Sequence, residues 1–285
     1  MRLDGQRESQ NVIDRRKSRG SGMLTSGRKK GGILSLLIVL VGAYYGVDLS
    51  GIVGLGNDIS YQQSASSRLS QVEEDHLAKL SKQVLGNMED TWGNYFRKNG
   101  MNYRQPKLVL YTDVEPTACG TGQAAMGPFY CPADERIYID LSFYDDMRSK
   151  MRAGGDFAFS YVIAHEVGHH IQNQLGISQQ TQQAQRNARS KAEANKISVM
   201  VELQADCFAG VWGHQIQKEG RLDEGDVEEA FAAAQAVGDD RLQQQSTGRI
   251  IPDSFTHGSS KQRLEWFRKG LYSGNPSVCN TFAAY

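Results

Sequence analysis

The sequence predicts a helix-dominated α+β chain with a small β-sheet, preceded by one N-terminal transmembrane helix. Three observations predict it. Apolar residues recur at three- and four-residue spacing in several long stretches after residue 64. Short runs rich in β-branched and aromatic residues lie between residues 107 and 140. An uncharged stretch covers residues 31–47.

The 285 residues carry no net charge, but the distribution is uneven. Residues 1–30 hold nine Lys or Arg against three acids, so the remainder is acidic by six charges. An acidic body excludes nucleic acid as the main partner, because phosphate binding needs a concentrated basic face. The basic, Gly/Ser-rich residues 1–30 read as a disordered cytoplasmic tail. Residues 31–47 number 17, at the short end of the roughly 17–25 that span a bilayer. A cleaved signal peptide fits less well, because Gly46-Val47-Asp48-Leu49 offers no A-x-A site. With its basic flank retained, the expected location is the inner membrane, single-pass, N-terminus cytoplasmic and the body periplasmic.

Residues 48–63 read as a linker and 64–285 as one domain. Leu69, Val72, Leu77, Leu80, Val84, Leu85 and Met88 predict a helix over 64–97. Residues 107–111, 129–130 and 136–140 read as short strands. A second helix is expected over 157–175, ended by Gly176. Glutamine-rich residues 179–185 suit a solvated helix or loop, and helices follow over 192–218, 226–236 and 261–271.

All four cysteines lie beyond residue 47. Cys119 and Cys131 bracket a Gly-rich segment that a disulfide would close in an oxidising compartment, with Cys207 and Cys279 paired by elimination. The bland alternative is four buried thiols.

His165-Glu166-Val167-Gly168-His169 matches HExxH. Residues at i and i+4 share a helix face, so both imidazoles can hold one zinc ion. Glu166 is turned about 100° from His165, within reach of the attacking water as a general base. The flanks, Phe159 to Ala164 and Val167, are mostly apolar, where unpartnered histidines would be costly. A catalytic zinc needs a third protein ligand. Glu202-Leu-Gln-Ala-Asp206 offers two carboxylates at the same spacing among apolar neighbours. One can bind the metal and the other orient a histidine. A solvated acidic face is the plainer reading of that pair taken alone.

Of the other histidines, His257 lies on a loop before a helix and could steady an oxyanion, or simply serve turn chemistry. His214 shares the Glu202 helix, His170 reads as packing or surface, and His76 as surface.

Assembled, these residues resemble the bacterial YpfJ-like neutral zinc metallopeptidase family, in the gluzincin branch of the zincins. Matching runs include Met126-Gly-Pro-Phe-Tyr-Cys-Pro-Ala-Asp134, His165-Glu-Val-Gly-His-His170, Glu202-Leu-Gln-Ala-Asp-Cys-Phe-Ala-Gly-Val-Trp212 and Phe255-Thr-His-Gly-Ser-Ser260. The leader runs Gly5–Ser9 and Asn11–Arg16 also match, so the likeness covers nearly the whole chain. It implies a zincin-like peptidase domain with His165, His169 and Glu202 as ligands, Glu166 as base and Asp206 orienting His165. It also implies that the strand near Met126–Tyr130 pairs with an extended peptide or protein substrate. Two rivals stand beside that expectation. One is a zinc amide hydrolase acting on a non-peptide component of the cell envelope. The other is a zinc-stabilised, membrane-anchored interaction module without turnover, its fourth ligand being His214 or His257. No oligomeric state follows from the residues.

Overall fold

The computed structural model describes residues 1–17, 69–123 and 127–284. Helix α1 (Gln71–Lys98) opens on a capping box. The Ser70 hydroxyl accepts from the Glu73 amide, and the Glu73 carboxylate accepts from the Ser70 amide. Two donors that a helix start leaves orphaned are thereby satisfied. The face bearing Leu77, Leu80, Val84, Leu85 and Met88 is buried as the spacing predicts, and Trp92 joins it, whereas Val72 in the first turn is exposed.

Strands β1 (Val12–Asp14), β2 (Lys107–Tyr111), β3 (Val114–Thr117), β4 (Gly120–Gln123), β5 (Phe129–Cys131) and β6 (Arg136–Asp140) form two sheets. One has the order β1-β2-β6-β5, with β2 parallel to β1 and β6, and β5 antiparallel to β6. The other is the β3–β4 hairpin, tied to β5 through the Cys119–Cys131 disulfide. Side chains alternate across a strand. Leu108, Leu110, Ile137 and Ile139 therefore enter the main core, while Val109, Tyr111 and Tyr138 form a second cluster on the opposite face.

Seven further helices follow among the described residues: α2 (Ser142–Ser149), α3 (Asp156–Gln174), α4 (Ile177–Arg186), α5 (Lys191–Lys218), α6 (Asp226–Ala236), α7 (Asp239–Thr247) and α8 (Ser260–Ser273). Helices α3 and α5 are buried over most of their length, which is why their apolar residues are not confined to one stripe. They meet at Gly168, where a Cβ would lie 2.9 Å from the Ala205 carbonyl oxygen. Helix α5 also crosses α8 backbone to backbone. A Cβ on Gly270 would lie 2.0 Å from the Cys207 carbonyl oxygen, a separation no side chain tolerates. The Cys207–Cys279 disulfide joins the chain's last turns to α5.

The N-terminal residues correct the expectation of a disordered tail. Residues 1–17 pack on the body, and β1 pairs in register with β2 from Val12↔Leu108 to Asp14↔Leu110. The basic residues have acidic partners in the body. Arg7 binds Glu89 and Asp90, Arg15 binds Glu115, and Arg16 lies within ion-pair reach of Asp75. Their charge serves docking, which composition alone could not distinguish from a basic membrane flank.

The transmembrane helix expected over residues 31–47 is not supported. Among the described residues no helix is long and apolar enough to cross a membrane, and residues 31–47, like the 48–63 linker, lie outside them. The single-pass placement is overturned with it. An N-terminus and a body on opposite sides of a membrane would put β1 and β2 in different compartments, yet the two strands are hydrogen-bonded neighbours.

Candidate metal centre

Helix α3 presents His165 and His169 one turn apart, and α5 presents Glu202 and Asp206 in the same way. Because Gly168 lets the helices approach so closely, the two faces meet. His165 Nε2 lies 3.1 Å from Glu202 Oε2 and 3.1 Å from His169 Nε2. His169 Nε2 lies 3.5 Å from Glu202 Oε1. A tetrahedral ion with ligand bonds of roughly 2.0–2.1 Å sets its donors on edges of about 3.3 Å. The two imidazole nitrogens are separated by close to such an edge, each lies near one oxygen of Glu202, and one ligand atom from each residue falls within 4.8 Å of the others. Two imidazoles and one carboxylate are the donor set of a catalytic zinc. The residues fit the ion.

The far side of each imidazole is held as well. His165 Nδ1 is 2.8 Å from Asp206 Oδ1, and His169 Nδ1 donates to Gln172 Oε1 at 2.9 Å. Gln172 is itself fixed, donating to the Val201 carbonyl at 2.7 Å. With both Nδ1 atoms engaged, both Nε2 atoms face Glu202, the arrangement that orients metal-binding histidines.

Asp206 is fully buried, and it gathers more than His165. Tyr161 donates to Oδ1 at 2.6 Å, Arg263 Nη2 to Oδ1 at 2.9 Å, and Arg263 Nε to Oδ2 at 2.8 Å. Sequence reasoning missed Gln172, Tyr161 and Arg263. Tyr161 sits one turn before His165 and Gln172 one turn after His169, so their helical spacing was a usable signal. Arg263 offered none.

Burial raises the Asp206 pKa, but Arg263 and His165 outweigh it and hold the carboxyl below its ordinary value. Burial also opposes ionisation of Glu202, and the facing imidazoles win by a wide margin. For His165, burial pulls the pKa down while Asp206 and Glu202 hold it up at about 10. A divalent ion must therefore displace a proton to bind there. Glu166 differs from both acids. Its pKa is raised, because burial outweighs the attraction of His169 and His165.

His257 lies on the loop between a 3-10 turn (Pro252–Ser254) and α8, its side chain part-exposed. Asp239 Oδ2 accepts from the backbone amides of Thr256, His257 and Gly258, and Asp239 Oδ1 is 3.2 Å from His257 Nδ1. Burial lowers the His257 pKa, and the Asp239 hydrogen bond and the Glu202 charge raise it above its ordinary value. The remaining histidines stand outside the cluster. His170 is buried between the Tyr130 hydroxyl and the Arg104 carbonyl, His214 donates to the Leu271 carbonyl, and His76 pairs with Asp156 at the surface.

Comparison with known proteins points to the same metal. The family model described as "Putative neutral zinc metallopeptidase" matches residues 1–282. The chain is 57% identical over 289 residues, 99% of each chain, to the Escherichia coli K12 protein described as "Uncharacterized protein YpfJ". It is 42% identical over 193 residues, 64% of each chain, to Rv2575 of Mycobacterium tuberculosis H37Rv. No solved structure matches. Zinc is the metal to which both the family and the cluster point, with His165, His169 and Glu202 placed to hold it. The chain belongs to the neutral zinc metallopeptidase family.

Proposed function

We propose that the chain hydrolyses peptide bonds by attack of water, with Glu166 as general base and His165, His169 and Glu202 as the zinc ligands. The observation that carries this reading is the contrast among the acids beside the two imidazoles. Glu202 faces both Nε2 atoms from the neighbouring helix, as a ligand does, while Glu166 stands beside His165 on the motif helix with its pKa raised by burial, the direction a general base needs.

Bound at the three donors, zinc supplies Lewis acidity and lowers the pKa of water toward neutrality. Glu166 accepts the proton of the attacking water and delivers it to the leaving amine. Asp206 and Gln172 hold the imidazole rings, so the donors need no reorganisation during turnover. His257, held through Nδ1 by Asp239, is the loop side chain proposed to steady a developing oxyanion. Strand β5 is an edge strand among the described residues, and the Tyr130 hydroxyl reaches His170, next to His169. An extended peptide adding to that edge would lie beside the motif helix.

The test is cleavage of a quenched-fluorescent peptide library by the purified full chain. Wild type is expected to cleave, and Glu166→Gln to keep its zinc while losing about 10²–10⁴-fold in rate. Equal cleavage by the two at equal zinc content refutes the assignment.

A further inference from the structure

We propose that Arg263 is a positioning residue of the metal centre, which through Asp206 fixes which nitrogen of His165 faces the metal. Arg263 is 4% exposed and Asp206 is 0% exposed. Their contact is a fork: Nε to Oδ2 at 2.8 Å and Nη2 to Oδ1 at 2.9 Å. A planar guanidinium suits this two-point grip, which the point charge of a lysine cannot reproduce.

The fork determines the hydrogen. Guanidinium groups only donate, and an ionised carboxylate only accepts. Asp206, held ionised by Arg263, therefore requires a proton on the His165 nitrogen 2.8 Å away. Arg263 Nη2 also lies 3.3 Å from that same Nδ1. Were Nδ1 to accept from Arg263, its lone pair would face the closer carboxylate oxygen. The shorter contact prevails, Nδ1 carries hydrogen, and the Nε2 lone pair is left for the metal. Tyr161, donating to the same Oδ1 at 2.6 Å, closes the remaining approach to Asp206.

Charge points the same way. Glu166, Glu202 and Asp206 are buried acids, and Arg263 is the buried cation set against them. The guanidinium also stands 4.0 Å from Glu202 Oε2, near enough to steady the ligand carboxylate without replacing the metal on it.

The inference rests on the metal centre and not on the peptidase reading, so its test uses no substrate. Zinc affinity of the full chain is read by chelator competition for wild type, Arg263→Lys, Arg263→Met, Asp206→Asn and Asp206→Asn/Arg263→Met. Arg263→Met and Asp206→Asn should each weaken zinc binding by about 10–100-fold, the range for a lost orienting partner. The double variant should add no more than about threefold to either, since both act on one hydrogen bond. Arg263→Lys, which keeps the charge and loses the fork, should still bind more weakly than wild type. A merely structural arginine would lower the melting temperature and leave zinc affinity unchanged, and that result overturns the proposal, as does additivity in the double variant. Should the methionine variant fail to fold, Arg263→Lys decides: weaker zinc binding than wild type supports the proposal, and unchanged zinc affinity overturns it.

Discussion

Two buried carboxylates organise this molecule, Glu89 in α1 and Asp206 in α5. Each is at most 2% exposed, and each collects donors from distant parts of the chain. Glu89 accepts from Ser9 at 2.5 Å, Asn11 at 2.7 Å and Arg7 at 2.9 Å, and so fastens the N-terminal leader. Asp206 accepts from His165, Tyr161 and Arg263, and so holds the back of the metal centre. The physical device is the same. The difference lies in what stands one layer further in: at Asp206 the donor's other nitrogen faces a cluster of metal ligands, whereas none of the donors to Glu89 belongs to such a cluster. A buried, saturated acid thus marks a point where the fold is fastened, and only its neighbours reveal whether chemistry is fastened there too.

Perturbing the two acids should separate these roles. The largest effect is expected at Asp206→Asn, which leaves Arg263 buried without its charge partner and should cost about 3–5 kcal/mol in urea unfolding of the metal-free chain. The same residue sets an acid limit. Its folded pKa lies below the unfolded value, so its contribution is present above the unfolded pKa and lost as pH falls through the folded one. Wild type should therefore lose stability on acidification more steeply than Asp206→Asn. His165 works in the opposite sense. Its folded pKa of about 10 stabilises the metal-free chain fully below the unfolded value, and that stability is lost as pH rises through about 10.

Next comes the covalent tie beside Asp206. The Cys207–Cys279 bridge closes a loop of sequence separation 72, and Cys119–Cys131 one of 12. On chain entropy, paired Cys→Ser variants should lose about 4 and about 3 kcal/mol respectively. A larger loss at the shorter loop would show that native-state contacts, and not loop closure, set the order.

Smaller again is Glu89→Gln, which should cost about 1–3 kcal/mol, raise hydrogen exchange in residues 1–17 and leave zinc affinity within about twofold of wild type. A tenfold change in zinc affinity would break the distinction between the two acids. The smallest effect belongs to Arg7→Ala, about 0.5–1 kcal/mol or less, because its head is half exposed.

Legibility in the sequence followed locality. His165, Glu166 and His169 are a turn of one helix, and Glu202 and Asp206 a turn of another, so spacing alone placed each pair on a face. The long helices announced themselves through buried apolar residues such as Leu77, Val84, Phe157 and Trp212. Strand β1 did not, because Val12 and Ile13 are two apolar residues in a basic run and their partners lie nearly a hundred residues away. Helix α7, Asp-Asp-Arg-Leu-Gln-Gln-Gln-Ser-Thr over 239–247, has almost no apolar stripe to read. Arg263 was hidden for a related reason. It stands in a helix with Lys261, Arg268 and Lys269, and nothing local tells the one buried cation from exposed ones. The apolar stretch at 31–47 misled because all of residues 1–30 was read as one basic flank, whereas Arg7, Arg15 and Arg16 find acidic partners in the body.

The central claim is that His165, His169 and Glu202 together hold one zinc ion. Its most direct test is the zinc content of the purified full chain and of Glu202→Ala after equilibration with zinc and desalting. About one zinc per wild-type chain, and less than about a tenth of that in the variant, is the predicted result. Equal zinc in the two proteins, or none in the wild type, would contradict it.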